Sequence, residues 1–304
     1  MIKMKVPVLF LIFCRKDAAL QALESIRNYR PDRLYIAADG ARANKDGEKE
    51  QCEQTRQSIL NAIDWDCEVN TLFRKQNLGC ANAVYGAVTW FFENEEYGVI
   101  IEDDVVIHPD FYCLCERLLP HYQNEEKIML ITANNATPNL RHPDKLVFTN
   151  RAWIWGWASW RRAWTRMDMS MSRWKQYNPL HLIERFGLFQ GLFFWYYWSL
   201  AYKNITTLKS WATRWDFALT AYNGVCLSSN ANLSKNIGIS NAGGTHYDED
   251  SIDMYSHLPF GSVRYPIQLP EKIEIDKDKA QAEQKEFKRI RLIGLKKKIR
   301  HSLK

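Results

Sequence analysis

The stretch YGVIIEDDVVIHPDFY, residues 97–112, joins an apolar run to three consecutive carboxylates, Glu102, Asp103 and Asp104. Adjacent acids repel one another, and the end of a strand gives them no intrinsic reason to be there. Two interpretations are open. In the first, the acids form a solvated turn in which one of them, or Asp110, caps the next helix. In the second, they form a site for a hard cation.

The cation interpretation follows from the chemistry of carboxylate oxygens. Mg²⁺ and Mn²⁺ prefer these oxygens and keep waters and phosphate oxygens in their coordination shell, so one or two carboxylates and a diphosphate suffice. A second strand-like run, RLYIAADG at residues 33–40, also ends on an acid, Asp39. The sequence therefore predicts a Mn²⁺ or Mg²⁺ site beside strand ends.

Strand-like and helix-like segments alternate over the first hundred residues. Apolar or alternating runs predict strands at residues 6–13, 33–38, 67–75 and 97–104, and helical spacing predicts helices at residues 18–28, 48–62 and 82–95. This order predicts an α/β fold with a mostly parallel sheet flanked by helices. Ligands of such sheets bind beyond the carboxyl ends of the strands, so Asp39 and the three acids are expected on one rim.

Composition excludes several classes of protein. With 46% hydrophobic residues the chain can bury a sizeable core, which excludes a wholly disordered protein. The 41 Lys and Arg residues follow no nucleic-acid-binding motif, and an acidic rim would repel phosphate without a metal, so we expect no nucleic-acid partner. The seven cysteines are scattered and form no CxxC pair, which favours a reducing compartment. The apolar run at residues 6–13 is too short to span a bilayer, and we predict a cytoplasmic location.

The sequence changes in character after about residue 150. Residues 151–164, RAWIWGWASWRRAW, contain five tryptophans, and the apolar stretch GLFQGLFFWYYWSLAY at residues 187–202 predicts a helix that covers the sheet or lines a groove. A helix and then a strand are predicted within residues 210–230, followed by a loop rich in Gly and Asn at residues 236–251. We therefore divide the chain into residues 1–150, 151–270 and a charged tail at 271–304.

Four motifs resemble a known family in their order and spacing. PVLFLIFCRKD (7–17), IAADG (36–40), NLGCANAV (77–84) and YGVIIEDDVVIHPDFY (97–112) are similar to the nucleotide-sugar half of GT-A glycosyltransferases. The three acids resemble the Glu-Asp-Asp variant of the Asp-x-Asp motif in N-acetylglucosaminyltransferase I. The later tryptophan and glycine motifs resemble bacterial sugar transferases of glycosyltransferase family 2 type. The resemblance implies a GT-A-like, Rossmann-like fold over roughly residues 6–250.

The resemblance implies a role for each matching residue on the donor side. Arg15 would lie near the nucleotide, and Asp39 would accept a hydrogen bond from the base, a uracil. The loop and helix start beside the ribose and diphosphate would contain Asn77, Gly79 and Asn82. Glu102 and Asp103 would contact the sugar and ribose, and Asp104 would ligate the metal.

The acceptor side needs a general base, because an inverting transfer requires a carboxylate that deprotonates the acceptor hydroxyl. We predict Asp216, with Asp168 as the alternative. In the resembled enzymes an acid lies near a tryptophan at the start of a helix. Here the acid comes later in the helix, after Trp215.

Two further assignments concern the metal and the acceptor. The resemblance implies that His246, in the Gly-rich loop, ligates the metal or the diphosphate. Trp155 and Trp157, which flank Gly156, are predicted to face the acceptor, while most of the other tryptophans are expected in the core.

Each assignment has a structural alternative. The alternatives are a pairing of Arg15 with Asp17, an ordinary turn at Asp39-Gly40, an ion pair of Asp216 with Arg214 or Arg162, and a surface position for His246.

The charged tail has two interpretations. Apolar residues are interspersed with many Lys and Arg between residues 287 and 303, which is typical of a helix that lies on an anionic membrane surface. A solvated basic helix has the same pattern. The membrane interpretation suits an enzyme with a lipid-linked acceptor, located at the inner face of the plasma membrane.

Taken together, the motifs predict a metal-dependent, inverting glycosyltransferase that moves a hexosyl or N-acetylhexosaminyl group. The donor would be a UDP-sugar, and the acceptor a glycan or lipid-linked molecule in bacterial surface polysaccharide synthesis. One alternative is a sugar nucleotidyltransferase, although those enzymes carry a Gly-rich loop after the first strand and FCRKDAAL has no glycine. The other is a non-catalytic glycan-binding protein on a transferase scaffold.

Overall fold

The computed structural model describes residues 5–238 and 258–302, with side chains up to residue 291. The strands of this part of the chain are β1 Val8–Ile12, β2 Arg33–Ala38, β3 Glu68–Phe73, β4 Tyr97–Glu102, β5 Val105–Ile107, β6 Ile128–Thr132, β7 Leu146–Thr149, β8 Trp157–Trp160, β9 Val225–Ser229 and β10 Ser234–Asn236.

Helices connect most of these strands. They are α1 Lys16–Tyr29, α2 Glu48–Asn61, α3 Cys80–Asn94, α4 Pro109–His121, α5 Arg161–Trp164, α6 Leu180–Phe186, α7 Leu188–Lys203, α8 Trp211–Ala221 and α9 Lys277–Ser302, with a short 3-10 helix at Ser172–Gln176. The α/β alternation predicted for the first hundred residues is confirmed, and boundaries differ by a few residues.

An eight-stranded sheet forms the centre of the molecule, in the order β3-β2-β1-β4-β8-β6-β9-β7. Six of these strands run in one direction, while β8 and β7 run antiparallel to their neighbours. The predicted mostly parallel sheet is therefore confirmed. Because β8 and β9 pair with β4 and β6, the segments on either side of residue 150 share one sheet.

Alternation along the buried strands supplies two hydrophobic layers. Along β1, Val8, Phe10 and Ile12 belong to the layer covered by α1, α2 and α4. Leu9 and Leu11 belong to the opposite layer, covered by α3, α5 and α8. A strand that is buried on both faces in this way reads as a continuous apolar run, which is why the sequence identified it.

A third, smaller hydrophobic cluster lies beside α6, α7 and α8, and includes Phe186, Phe194, Trp198 and Phe217. It is built from aromatic side chains, with the ring centroids of Phe194 and Trp198 stacked 4.7 Å apart.

Within the described residues, no helix combines the length and the apolar character needed to cross a bilayer.

The start of the charged tail is part of the folded body. Residues leading into α9 run along the edge strand β7, where the backbone N–H of Asp276 donates to the carbonyl oxygen of Phe148 at 2.9 Å. Lys279 and Glu283, one turn apart on α9, are each only 5% exposed, and their charged groups approach to 3.5 Å. Phe287 packs against Phe193. The first turns of α9 are thus buried on one side against the body of the protein and exposed on the other.

Candidate active site

The strand order reverses between β1 and β4. The chain proceeds from β1 outward to β2 and β3, and then returns to place β4 on the other side of β1. At such a reversal the loops after the two central strands diverge, and open α/β sheets bind their ligands there. Arg15 follows β1, and Glu102, Asp103 and Asp104 end or follow β4. We call these four residues the acid rim.

Arg15 holds two of the acids together. Its Nη1 donates to Oδ2 of Asp104 at 3.0 Å, and its Nη2 donates to Oδ1 of Asp103. The backbone N–H of Phe13 also donates to Oδ2 of Asp103, at 3.3 Å. The structure therefore shows Arg15 paired with the carboxylate cluster, and not with Asp17 as the alternative had it.

The acid rim carries more negative than positive charge, since one guanidinium faces three carboxyl groups. Desolvation, followed by repulsion from Asp104 and Asp103, raises the pKa of Glu102 to about 8. Desolvation also raises the pKa of Asp103 to about 6, against the lowering effect of the Arg15 charge. Without a further cation, Glu102 is therefore mostly protonated at neutral pH, whereas Asp103 is mostly ionised.

The donor set suits a hard cation, because all its oxygens are carboxylate oxygens. In the described part of the chain, however, no group of three or more His, Cys, Asp or Glu residues is arranged as a complete metal site. A cation here would therefore need oxygens from another molecule, as Mg²⁺ and Mn²⁺ sites with one or two carboxylates do. The residues fit a cation that arrives with a phosphate ligand.

The segment before the Gly-rich loop lies directly against Asp104. The backbone N–H of Ile237 donates to the carbonyl oxygen of Asp104 at 2.7 Å, next to the pairing of β10 with β5. A Cβ atom on Gly238 would come within 2.5 Å of Oδ2 of Asp104. A larger residue at position 238 would therefore displace the Asp104 carboxylate. His246 lies outside the described residues, and its predicted metal role stays a prediction.

Asp39 organises a loop. Its carboxylate oxygens accept hydrogen bonds from the backbone N–H groups of Leu78 and Gly79, at 3.0 and 3.1 Å, and from that of Gly40. A Cβ on Gly40 would overlap the backbone of Gln76, with the nearest atom at 2.4 Å. The Asp39-Gly40 pair is therefore more than an ordinary turn, because it fixes the loop that precedes α3.

The other predicted residues of this loop also bond to its backbone. The Asn77 side-chain amide donates to the carbonyl oxygen of Gly40 at 2.7 Å, and that of Asn82 donates to the carbonyl oxygen of Leu78 at 3.2 Å. Gly79 has a φ of 76°, a left-handed value that favours glycine. These residues shape the loop next to the acid rim, and their predicted contacts with a nucleotide are untested.

A cavity of about 390 Å³ is lined by residues of α7, α8 and α9 and by the residues that precede β8. We call it the aromatic cavity; its lining includes Asn134, Arg151, Trp153, Trp155, Gln190, Phe193, Phe194, Tyr197, Thr213, Asp216, Glu283, Glu286, Phe287 and Arg291. The residues that enter β8 link this cavity to the strands beside the acid rim, because β8 pairs with β4 and Gly156 packs against Ile107 of β5. The acids themselves do not line it.

Asp216 lies in the wall of this cavity. Helix α8 begins after the cap Ser210, whose hydroxyl accepts a hydrogen bond from the backbone N–H of Thr213, and Asp216 lies in the second turn of this helix. Its Oδ1 accepts from the backbone N–H of Ala152 at 3.2 Å, and its Oδ2 lies 3.4 Å from Nη2 of Arg151. Its ion-pair partner is Arg151, which replaces the expected alternatives Arg214 and Arg162.

Asp168, the alternative base, occupies a turn outside the cavity lining. Its carboxylate accepts hydrogen bonds from the backbone N–H groups of Ser170 and Ser172 at 2.8 and 2.6 Å. Partial burial alone would raise its pKa, but the bonds from these two serines lower the pKa of Asp168 to about 2. A carboxylate held in this way is a poor proton acceptor, so the geometry favours Asp216.

The two predicted acceptor-facing tryptophans point to different places. Trp155 lines the aromatic cavity. Trp157 is fully buried and stacks on Trp211, with ring centroids 5.8 Å apart, so the prediction that it faces an acceptor is wrong. In a regular strand both would share one face. Gly156, with a φ of 76°, breaks the alternation between them.

Several cavity residues escaped the sequence analysis. Arg151 is held over the ring of Phe194 at 4.5 Å, and Glu283 accepts from Oγ1 of Thr149 and Nε1 of Trp153 at 2.6 and 3.1 Å. In the sequence Arg151 is one more basic residue, and Lys279-x-x-x-Glu283 is the pattern of a solvated helix. Nothing local distinguishes them.

No family model and no curated protein matches this chain. Solved structures align with parts of it at low sequence identity. A mannosyltransferase from Pyrobaculum calidifontis, solved in complex with GDP-Man and Mn²⁺, aligns with a TM-score of 0.39 and 11% identity over 71% of this chain and 74% of its own. A UDP-glucose pyrophosphorylase complexed with UDP-glucose aligns with a TM-score of 0.37 and 12% identity, over 74% of this chain and 90% of its own. Mouse xyloside xylosyltransferase 1 aligns with a TM-score of 0.33 and 11% identity, over 70% of this chain and 81% of its own.

Proposed function

We propose that this chain is a metal-dependent, inverting glycosyltransferase of GT-A type that transfers a sugar from a UDP-sugar to a glycan or lipid-linked acceptor. The observation that carries the proposal is the acid rim, in which Arg15 and three carboxyl groups meet at the reversal point of the sheet. The motif resemblance supports the reaction class and its assignment to bacterial surface polysaccharide synthesis.

On the donor side, the charge of the acid rim supports a role in holding a cation and a diphosphate. Asp104 would ligate the Mn²⁺ or Mg²⁺ ion, with His246 as a second ligand, and Glu102 and Asp103 would face the sugar and ribose. The cation would neutralise charge on the departing nucleoside diphosphate. Arg15 would also lie near the departing diphosphate, because its guanidinium is held beside Asp103 and Asp104.

On the acceptor side, we assign the aromatic cavity to the acceptor and Asp216 to the general base. The Asp216 carboxylate would take the proton of the acceptor hydroxyl while that oxygen bonds to the anomeric carbon and the bond to the diphosphate breaks. Trp155 supplies an apolar ring face suited to a sugar. The Nε of Arg151 is buried without a hydrogen-bond partner in the described residues, and it is free to donate to an acceptor oxygen.

Calorimetry with UDP, with and without Mn²⁺, tests the proposal. We expect UDP to bind only when Mn²⁺ is present, and Asp104→Asn to weaken this binding by about 100-fold, because a direct metal ligand is lost. Asp46→Asn, an exposed acid after β2, is the matched control and should bind like the wild type. Absence of metal-dependent UDP binding would remove the proposal.

A screen of nucleotide sugars for metal-dependent hydrolysis would then identify the donor. Release of UDP from one sugar nucleotide supports transfer. Formation of a sugar nucleotide from a sugar phosphate and UTP would instead identify a nucleotidyltransferase. Binding of glycans with no turnover of any sugar nucleotide would identify a non-catalytic glycan-binding protein.

A further inference from the structure

Helix α7 has two unlike sides. One side is buried in the small aromatic cluster or lines the aromatic cavity, through residues such as Phe194 and Trp198. The other side leaves large apolar side chains in solvent, and two of them, Phe189 and Tyr196, are 72% and 66% exposed. We call this surface the aromatic face; it consists of Leu188, Phe189, Leu192, Trp195, Tyr196 and Leu200.

The aromatic face is a continuous patch. At 3.6 residues per turn, its six positions fall on adjoining rows of the helix surface. Eight of the fourteen exposed large hydrophobic side chains in the described residues lie between residues 180 and 200. A helix that is apolar on all sides is ordinarily covered on all sides, and a contiguous exposed patch marks an interaction surface.

Basic residues of α9 border this face. The Nζ of Lys288 lies 5.2 Å from the centre of the Phe189 ring, and the guanidinium of Arg291 lies 3.9 Å from that of Phe193. Lys285 and Arg289 are also exposed on this part of α9. The packing of Phe287 against Phe193 fixes the two helices side by side. Aromatic rings and positive charges therefore form one surface.

We propose that the aromatic face and the adjoining basic side of α9 dock this protein on an anionic lipid bilayer. Trp and Tyr side chains favour the boundary between lipid headgroups and acyl chains, and Lys and Arg are attracted to anionic headgroups. A second copy of the chain would present the same positive charge and be repelled, whereas an anionic bilayer presents negative charge and attracts this surface. The proposal does not depend on the chemistry of the acid rim.

This surface differs from a membrane contact made by the tail alone. The apolar part of the contact comes from α7, and the first basic residues come from the part of α9 that is fixed to the body. The sequence of α9 continues with Lys296, Lys297 and Lys298, which adds positive charge to the same helix. Removing only the aromatic side chains should therefore weaken binding while the tail remains intact.

Sedimentation of the full chain with lipid vesicles tests the proposal. The vesicles contain phosphatidylcholine alone, or phosphatidylcholine with phosphatidylglycerol. We expect wild-type protein to sediment with the anionic vesicles and to be released by salt. The double variant Phe189→Ser, Tyr196→Ser should bind about tenfold more weakly, and so should Lys285→Glu, Lys288→Glu. Val69→Ser, at a 37% exposed position on β3, at the opposite edge of the sheet from β7, is the matched control and should bind like the wild type.

The double variants remove mostly exposed atoms, so their melting temperatures should be close to those of the wild type and Val69→Ser. Three results would overturn the proposal: no binding of the wild type to anionic vesicles, equal binding of the aromatic variant, or loss of binding only on deletion of residues 292–304. Light scattering adds a fourth. If the aromatic variant converts a dimer to a monomer without changing vesicle binding, the face joins two copies of the chain.

Discussion

The acid rim and the aromatic cavity differ in how they are assembled. The acid rim is made of residues that follow two adjacent strands, so topology alone brings them together. The cavity is made of segments near residues 134–137, 151–155, 190–216 and 283–291, which meet only through tertiary packing. The rim is crowded with like charge, whereas each described carboxylate of the cavity wall has a basic or hydrogen-bonding partner. In this molecule the strand-end site is fixed by the order of strands in the sheet, whereas the cavity depends on how helices and loops pack.

The largest effect expected in the cavity is on transfer. Asp216→Asn should lower turnover by about 1,000-fold, because the acceptor hydroxyl loses its proton acceptor. Binding of the nucleotide at the acid rim should be unchanged, since the two sites share no residue. Turnover assays and calorimetry on the same preparation measure both.

Asp168→Asn is the control, because that carboxylate only holds a turn. Retained turnover in the Asp216 variant, or loss of turnover in the Asp168 variant, would reverse the assignment of the base.

The next largest effect concerns the wall of the cavity. Glu283→Gln should lower the free energy of unfolding by about 3–5 kcal/mol, because it leaves the buried ammonium of Lys279 without its counter-charge. Lys279→Met with Glu283→Leu should cost less than the two single changes added together. Urea unfolding measures these differences. Lys285→Met, at an exposed position of the same helix, should change stability little. An equal loss of stability in that variant would show that the buried ion pair has no special contribution.

A glycine at the acid rim is expected to have a smaller effect. Gly238→Ala places a methyl group where Oδ2 of Asp104 lies, so the carboxylate must move. Mn²⁺-dependent affinity for UDP should fall by roughly tenfold. Gly261→Ala is the matched control, because a Cβ there meets no atom within 4 Å. Equal affinities of the two variants would show that the position of Asp104 does not govern binding.

The smallest effect, measured over one pH unit, is on stability. The pKa of Glu102 in the folded protein, about 8, is above its value in the unfolded chain. Its contribution to folding stability is therefore fully present below about pH 4.5 and is lost as the pH rises to about 8. In metal-free buffer, the wild type should lose stability relative to Glu102→Gln across this window, by at most about 1.4 kcal/mol per pH unit. Urea unfolding at several pH values measures the slope. Parallel pH profiles would mean that Glu102 is ionised in the folded protein.

The sequence carried more information about the acid rim than about the cavity. Strands such as β1 are recognisable because burial on both faces leaves only apolar residues, and their ends place Asp39 and the acids. Trp157 shows the limit: one glycine φ decides whether a tryptophan faces the core or the cavity, and residue spacing does not report it. Lys279 and Glu283 show a second limit of prediction from sequence, because a buried ion pair and a solvated one have the same sequence pattern.

The cover of the edge strand β7 has a consequence for synthesis on the ribosome. This strand pairs on its inner side with β9, and residues 268–276 bridge to its outer side. Both partners are translated later, so at ordinary elongation rates β7 stays open for on the order of ten seconds. An unpaired strand is a template for pairing with other chains. Slow translation between residues 149 and 283 should therefore favour aggregation of the nascent protein, even where the finished fold is stable.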